Sequence, residues 1–226
     1  MKLLSLFVTI LILSRVGASQ DLTLRGQVTM VHRSKHKSDS SDVVLWLTPT
    51  LSPPAAVFMP VARLVQKDKR FAPHVIAVRV GTEIEFPNQD PFFHDVFSIY
   101  RGKPFDLGLY ESGTVRKIRF SQPGISYIFC NIHPQMSAVV VAVPTPYFAV
   151  TDADGKFQIS HVPPGRYKVE FWYESASEGE LTSLTRDVDF GLSTPSLALT
   201  LHSSDQPTPH LNKYGQEYGK ENSTEY

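Results

Sequence analysis

Short stretches in which apolar and polar residues alternate occupy most of the chain from Leu22 to Leu201. Successive side chains of a β-strand point to opposite sides of a sheet, so this alternation predicts strands that each bury one side. The chain has 17 Pro and 13 Gly, and it shows no convincing amphipathic helix longer than a turn or two. Regularly spaced short strands with turns between them predict an all-β protein built from sandwiches or barrels.

The predicted strands form three groups along the chain. The first group, residues 21–50, has two strands joined by a polar stretch, Arg33 to Asp42, that is typical of a hairpin loop. Prolines then interrupt regular structure before the second group, residues 65–144, and the third group covers residues 146–202. Residues 203–226 are polar and show no periodicity, which predicts a disordered C-terminal tail.

Residues 1–18 have the composition of a cleavable signal peptide. Lys2 supplies the positive charge, Leu3 to Leu13 form an apolar run, and Val16 to Ala18 suit cleavage. The apolar run is too short to span a bilayer comfortably, so we expect no membrane span after cleavage, with a retained anchor as the alternative. The expected location is periplasmic if the source is a Gram-negative bacterium, and secreted otherwise.

The charge balance excludes one class of partner. Lys and Arg together number 22, and Asp and Glu together also number 22. No excess of positive charge is available to attract nucleic acid or an acidic membrane surface. We therefore expect no nucleic-acid partner.

A single cysteine, Cys130, is present in a chain that is predicted to be exported. Oxidising compartments favour paired cysteines, but one cysteine cannot form an internal disulfide. From the count alone, three interpretations remain: a buried inert thiol, an intermolecular disulfide, or a metal ligand. The residues around Cys130 favour the third.

Cys130, His133 and Met136 lie within seven residues, at the end of a predicted strand and in the turn that follows it. A second histidine, His94, lies upstream, just after another predicted turn. Two imidazoles, a thiolate and a thioether are the donor set of mononuclear blue-copper electron-transfer sites. Ligands three residues apart cannot all project from one side of a strand, but they converge if the chain turns back around one ion, and Pro134 stiffens such a turn. The pattern therefore predicts one copper ion per chain.

The segment Cys130 to Met136 resembles the ligand loop of the cupredoxin family, the plastocyanin- and amicyanin-like blue-copper proteins, and its Cys-x-x-His-x-x-Met spacing is most similar to that of amicyanin. The segment Asn88 to Val96 resembles the first-histidine segment of the same family, and the resemblance extends over roughly Phe71 to Val143. Two positions depart from the family pattern. Phe93 stands where family members often have Pro, and Asp95 stands where Asn is usual.

This resemblance implies a cupredoxin Greek-key sandwich or barrel. It implies that Asn88 ties the two ligand-bearing segments together by hydrogen bonds and tunes the sulfur. The edge of the His133 imidazole, with Pro134 beside it, is the implied route for the electron. The implied copper ligands are His94, Cys130, His133 and Met136.

The third group resembles a different family. Asp152 to Gly155 and Val162 to Val169 resemble two turns of the carboxypeptidase regulatory-like, transthyretin-type β-sandwich, and Gly26 to Val28 fits an early strand of that family. The resemblance implies that residues 21–50 and 146–202 form one small sandwich, with the cupredoxin domain inserted in it. Two consecutive domains with an unrelated N-terminal extension are the alternative.

Two pairs of residues have simpler interpretations. Asp152 and Asp154 suggest calcium, but the remaining ligands of a calcium loop are missing, so a turn is favoured. Trp46 and Trp172 are expected in the sandwich core.

The donor set predicts one-electron transfer with a redox partner protein. It leaves no open position for a substrate, and a catalytic Cys–His pair would lack an orienting residue, so we do not expect an enzyme. One of Phe92 and Phe93 either lies in the core or joins Pro134 in an apolar rim where a partner docks. Two other hypotheses remain: extracytoplasmic copper delivery or buffering, with a copper donor or acceptor protein, and a non-enzymatic β-sandwich module that binds the cell envelope.

Overall fold

Strands dominate the protein, as the alternating pattern predicts. The computed structural model has seventeen strands and one helix of seven residues within the residues it describes, so the all-β prediction is confirmed. No helix in this part of the chain has the length and hydropathy that a transmembrane span requires. The predicted signal peptide, residues 1–18, lies outside the described residues. The described residues are 21–32, 39–51, 61–99, 102–191, 196–203 and 210–218.

The elements are numbered in their order along the chain. The first nine strands are β1 (Leu22–His32), β2 (Val44–Pro49), β3 (Ala62–Arg63), β4 (Val65–Lys67), β5 (Arg70–Ala72), β6 (Val75–Arg79), β7 (Glu83–Pro87), β8 (His94–Ser98) and β9 (Phe105–Tyr110). The later elements are β10 (Val115–Arg119), β11 (Gly124–Cys130), β12 (Ser137–Val143), β13 (Phe148–Val150), β14 (Lys156–Val162), β15 (Gly165–Trp172), α1 (Glu178–Leu184), β16 (Arg186–Phe190) and β17 (Ser196–Ser203).

Strands from both ends of the chain build one sandwich. Its first sheet has the strand order β14-β1-β17, and its second sheet has the order β13-β2-β15-β16. Strand β1 is antiparallel to β14 and parallel to β17, so an N-terminal strand lies between two C-terminal ones. Buried side chains fill the space between the sheets, among them Val28, Leu45, Phe157, Val169 and Leu201.

Strands β1 and β2 lie in opposite sheets of this sandwich, so the hairpin that the sequence predicts between them is wrong. Strand β2 pairs instead with β13 and β15. The reason is burial, because Leu45 and Leu47 of β2 share one core with Val28 of β1. A hairpin would place β1 and β2 side by side in one sheet and would leave that core without its second layer.

The middle of the chain builds a second sandwich. Its five-stranded sheet has the order β6-β12-β11-β8-β9, its three-stranded sheet has the order β10-β7-β3, and β4 and β5 form a separate small hairpin. Strand β12 is antiparallel to β11 and parallel to β6. Side chains from both sheets form its core, among them Ile84, Phe86, Val96, Ile128 and Val140.

An apolar interface joins the two sandwiches. Along β12, Val140 faces the core of its own sandwich, whereas Val139 and Val141 face the neighbouring sandwich. This strand is a continuous apolar run because both of its sides are buried. Trp172 is buried in this interface and Trp46 packs against it, so neither tryptophan lies in the sandwich core where the sequence places it.

The turn before β14 requires a glycine. Gly155 has a φ of +74°, and a Cβ atom there would lie 1.8 Å from the carbonyl oxygen of Val28. The side-chain oxygen of Asp152 accepts hydrogen bonds from the backbone N–H groups of Asp154 and Lys156. The Asp152 carboxylate is therefore used within a tight turn, and Asp154 pairs with the ammonium of Lys156.

The alternating pattern does not predict α1. The Ser177 hydroxyl caps this helix by accepting a hydrogen bond from the Glu180 N–H, and Leu181 packs against the interface between the sandwiches. Seven residues make about two helical turns, which is too short for a helical period to stand out from alternation.

Candidate metal centre

Antiparallel strands bring the predicted ligands to one end of the five-stranded sheet. Strand β8 begins at His94, and the neighbouring strand β11 ends at Cys130, which pairs with Val96. In an antiparallel pair, the start of one strand lies beside the end of the other. The chain turns after Cys130 and returns as β12 from Ser137. The segment Cys130 to Met136 is called the metal loop below.

Three donor atoms form a compact triangle at this position. Sγ of Cys130 lies 3.7 Å from Nδ1 of His94 and 3.5 Å from Nδ1 of His133, and the two imidazole nitrogens are 3.2 Å apart. Metal–nitrogen bonds of about 2.0 Å and metal–sulfur bonds of about 2.3 Å, at angles between tetrahedral and trigonal, separate donor atoms by about 3.3–3.8 Å. The triangle therefore fits a single ion held by all three side chains.

Met136 ends the metal loop on its buried side. The Met136 side chain is fully buried and belongs to the same core cluster as Cys130. Two backbone hydrogen bonds fold the loop: the Met136 N–H donates to the His133 carbonyl (2.9 Å), and the Cys130 N–H donates to the Met136 carbonyl (3.3 Å). The metal loop is thus a closed turn held by its own backbone.

Asp90 orients the first histidine. Nε2 of His94 donates a hydrogen bond to Oδ2 of Asp90 (2.9 Å), and both side chains are almost completely buried. With its proton on Nε2, the ring directs the lone pair of Nδ1 toward the Cys130 sulfur. The backbone N–H groups of Asp68 and Lys69 donate to the same carboxylate, so Asp90 is itself held in place.

The protonation states of the donors suit metal binding. Burial lowers the pKa of His94, although the hydrogen bond to Asp90 opposes this shift. Burial, the adjacent His94 ring and the Lys69 ammonium lower the pKa of His133 to about 4. Burial raises the pKa of the Cys130 thiol, and hydrogen bonds from backbone N–H groups oppose that shift. At neutral pH both imidazoles are therefore neutral, and the thiol is the group that loses a proton when an ion binds.

Asp95 and Asn131 join the two ligand-bearing segments. The backbone N–H of Asn131 donates to the Asp95 carbonyl (2.8 Å), and Nδ2 of Asn131 donates to Oδ2 of Asp95 (3.1 Å). Asp95 directly follows His94, and Asn131 directly follows Cys130. These two bonds therefore fix the separation between the first histidine and the cysteine.

Asn88 makes different hydrogen bonds from those predicted for it. Its Nδ2 donates to the carbonyls of Phe92 (2.8 Å) and Tyr110 (3.3 Å), and its Oδ1 accepts from the Asp90 N–H (3.0 Å). These bonds hold the turn that leads to His94, since an Asn side chain readily closes a turn on the backbone that follows it. They differ from the tie to the metal loop that the sequence predicts.

Phe92 forms one wall of the site. Its ring centroid lies 5.4 Å from that of His94 and 5.5 Å from that of His133, and the Lys69 ammonium lies 5.5 Å from the same ring. Phe93 instead faces solvent, with 50% of its surface exposed. Of the two phenylalanines that the sequence singles out, Phe92 thus shields the ligands and Phe93 lies outside.

Part of the C-terminal tail, residues 210–218, folds against the metal loop, and we call it the strap. The Tyr218 hydroxyl donates a hydrogen bond to the Cys130 carbonyl (3.0 Å), and Nε2 of His210 donates to the Pro134 carbonyl (2.9 Å). The strap differs from the disordered tail that its polar sequence predicts, because its polar groups bond to the loop instead of to water.

Two groups of residues at the site, Asp90 and the strap, were not predicted from the sequence. The signal for Asp90 is present, since a carboxylate four residues before His94 in a tight turn can reach that ring. The strap gives no such signal. Tyr218 lies 88 residues after Cys130, and no local pattern relates them.

Comparisons with known proteins give matches among solved structures. No protein-family model matches the sequence, and no curated protein matches it. A purple cupredoxin from Nitrosopumilus maritimus overlaps 36% of this chain and 99% of its own, at 21% identity and a TM-score of 0.33. A reduced variant of amicyanin overlaps 44% of this chain and 98% of its own, at 18% identity and a TM-score of 0.35.

A copper-containing nitrite reductase from Thermus scotoductus SA-01 also matches, at 26% identity and a TM-score of 0.36. The match covers 42% of this chain and 25% of the enzyme chain. The matched part of this chain thus spans about a quarter of that enzyme's length, and each of the three matches covers less than half of this chain.

Proposed function

We propose that this protein is an exported cupredoxin-type protein that binds one copper ion and carries out one-electron transfer. The observation that carries the proposal is the triangle of Cys130, His94 and His133, with donor atoms 3.2–3.7 Å apart. When bound, copper would supply a reversible change between Cu(I) and Cu(II). The proposed ligands are these three side chains and Met136, and the chain's own part is to hold them in place and keep water away.

The donor chemistry favours copper over zinc. Zinc sites in proteins draw on Cys, His and carboxylate ligands. The carboxylate of Asp90 is already occupied by His94, and the thioether of Met136 belongs to the same buried cluster as Cys130. Two imidazoles, one thiolate and a thioether form the donor set of blue-copper sites, since sulfur suits Cu(I) and imidazole suits both oxidation states.

Burial favours retention of the ion and electron exchange through one edge. His94, Cys130 and Met136 are fully buried, whereas His133 and Pro134 are partly exposed. Buried ligands in a fixed geometry support electron transfer more than delivery, because delivery requires the donors to become accessible. We infer that the electron passes through the His133 edge and that a redox partner protein docks there.

We also propose that residues 65–144 are a metal-binding domain inserted in a regulatory-like sandwich made of residues 21–50 and 146–202. The pairing of β1 with β14 and β17, and of β2 with β13 and β15, supports this division. Residues 1–18 are the proposed signal peptide. Mass spectrometry of the protein recovered from its native compartment tests that assignment, and an intact N-terminus would contradict it.

Titration of the reduced apoprotein with Cu(II) tests the copper proposal. We expect saturation at one ion per chain, with an intense visible absorption band from charge transfer between the Cys130 thiolate and copper. Zinc is the control, since it has no visible charge-transfer band of this kind and should bind without colour. Stoichiometric copper binding without the band would show that the site is not a blue-copper site.

The affinity for copper should rise with pH. Ion binding needs a thiolate at Cys130 and a neutral imidazole at His133. Burial raises the pKa of Cys130, and burial with the nearby His94 and Lys69 lowers the pKa of His133 to about 4. Between pH 5 and 7 one thiol proton is therefore displaced, and the apparent affinity should rise about tenfold per pH unit.

Competition with a chelator, between pH 5 and 7 and also below about pH 4, measures the dependence. Below about pH 4 the imidazole of His133 also becomes protonated, so the slope should steepen toward about 100-fold per unit. A rise of about 100-fold or more per unit between pH 5 and 7 would mean that two or three protons are displaced, and it would contradict the neutral imidazoles inferred here.

Asp90→Asn should weaken copper binding by about 10–100-fold, the usual loss when the group behind a metal-binding imidazole is changed. The amide removes the charge that fixes the tautomer of His94 and offers one acceptor where the carboxylate offers two. Isothermal titration at pH 7 measures the loss. Asp154→Asn is the matched control, since Asp154 lies in an exposed turn, and an equal effect of both variants would contradict the role of Asp90.

A further inference from the structure

The strap is anchored to the metal loop at two points, the first residue of the loop and Pro134 within it. The Tyr218 hydroxyl donates to the carbonyl of Cys130 (3.0 Å), and Nε2 of His210 donates to the carbonyl of Pro134 (2.9 Å). The Tyr218 oxygen lies 3.2 Å from Nδ1 of His210, and the two rings pack edge to face with 5.2 Å between their centroids. The His210 ring stacks on Phe129, with 3.9 Å between ring centroids. The strap is therefore packed as well as hydrogen-bonded.

Lys213 connects the strap to both ligand-bearing segments. Its backbone N–H donates to Oδ1 of Asn131 (3.1 Å), and its ammonium pairs with the carboxylates of Asp95 (2.9 Å) and Asp106 (3.1 Å). The side chains of Lys213 and Asp95 are 14% and 8% exposed, so little water screens this pair. Asn131 and Asp95 directly follow two of the proposed ligands, so one residue of the strap holds both segments.

Exchange at the site requires a local opening of the structure. The side chains of Cys130, Met136 and His94 are fully buried, so the metal loop must move before a reagent or an incoming ion reaches the sulfur. The strap bonds to the backbone of Cys130 and Pro134 and to the side chain of Asn131, and outward movement of the loop breaks these bonds. Rates of local opening depend on the contacts that must be broken.

We propose that the strap keeps the metal loop closed and thereby slows both modification of the Cys130 thiol and release of the bound ion. Lys213 and Tyr218 are its positioning residues, because they act on the ligands through the backbone of the loop and through Asp95 and Asn131. The part that concerns the ion rests on the proposed copper function. The part that concerns the thiol does not, because it applies equally to the apoprotein.

The first measurement uses the full-length apoprotein and a disulfide reagent such as dithiodipyridine. The thiolate attacks the reagent, a mixed disulfide forms, and the released thiopyridone is followed by absorbance. The chain has a single cysteine, so the signal reports Cys130 alone. Tyr218→Phe should raise the rate about fivefold, the effect of losing one hydrogen bond. Lys213→Met should raise it by at least about tenfold, because it leaves the buried Asp95 carboxylate without its cationic partner.

Matched controls separate the strap from general effects. Tyr214→Phe removes a hydroxyl from a strap residue that is 71% exposed, and it should leave the rate unchanged. Truncation after residue 218 keeps the strap and should also change nothing, whereas truncation after residue 209 removes it and should raise the rate more than either substitution. A faster reaction whose rate depends little on low concentrations of urea indicates local opening of the structure. A general loss of stability would not give this weak dependence on urea.

The second measurement follows release of Cu(I) from the reduced, copper-loaded protein to a chelator in excess. The rates should increase in the same order, with Lys213→Met above Tyr218→Phe and both above the controls. If Tyr218→Phe and Lys213→Met react at the wild-type rate in the thiol measurement, the strap proposal is overturned even if copper binds. If the thiol rates rise but copper does not bind, the strap proposal stands and the copper proposal fails.

Discussion

Replacement of Cys130 by serine should abolish the intense visible band of the copper-loaded protein and lower its affinity for copper by more than about 100-fold. Serine has nearly the same shape as cysteine, but its hydroxyl does not ionise near neutral pH and is a hard donor, whereas Cu(I) prefers sulfur. The nitrogens of His94 and His133 remain 3.2 Å apart and should retain weak binding. Visible spectroscopy and competition with a chelator measure the two effects.

Gln135→Ala is the matched control for the metal loop. Gln135 is exposed between His133 and Met136, and its replacement leaves all four proposed ligands in place. This variant should keep both the band and the affinity. If the serine variant is folded by circular dichroism and still shows the band, sulfur is not a ligand and the copper assignment is wrong.

Gly155→Ala should destabilise the protein by about 2–5 kcal/mol, the combined cost of an unfavourable backbone conformation and overpacking. Gly155 has a φ of +74°, and the added Cβ would lie 1.8 Å from the carbonyl oxygen of Val28. Relief by a side-chain rotation is impossible, because the clash is with backbone. The Val28 N–H also donates to the Gly155 carbonyl (2.8 Å), so separating the two segments breaks a bond.

Thermal unfolding followed by circular dichroism measures this effect, and the midpoint should fall by about 5–15 °C. Gly179→Ala is the control, since nothing lies within 4 Å of a Cβ there and alanine favours the helix. In the copper-loaded protein the visible band should disappear in the same transition, because Val139, Val141 and Trp172 join the two sandwiches in one apolar interface. A midpoint unchanged from that of the wild type would contradict the packing of this turn.

Strand positions were largely predictable, because each depends on a period in the local sequence. Ile84 and Phe86 alternate with charged residues in β7, and the structure buries both of them. The apolar run in β12 was also predictable as a strand. The surfaces that bury its two sides were not predictable, because a local pattern indicates that a side is apolar but does not indicate which surface covers it.

The pairing of the strands was harder to predict than their positions in the sequence. The sequence suggests that β1 and β2 form a hairpin, since neighbouring strands with a polar connection often do. The structure places them in opposite sheets, where Leu45 and Leu47 complete the core around Val28. This choice depends on the burial of many distant side chains together.

The same division holds at the metal site. The spacing of Cys130, His133 and Met136 within one turn is a local feature, so the sequence alone identifies these side chains as candidate donors. The contacts around them join residues far apart in the chain. Lys213 reaches Asp95 across 118 residues, and the Tyr218 hydroxyl reaches the Cys130 carbonyl across 88.

The sequence by itself determined the all-β class, the positions of most strands and the side chains that can bind a metal. Each of these follows from residue chemistry and short spacing, which act over a few residues. Only the tertiary structure decided which strands pair, how Asp90 fixes the tautomer of His94, and that a polar tail closes over the loop. These features arise when separate segments compete for the same buried hydrogen-bond partners and apolar surfaces, and that competition is settled by the whole fold.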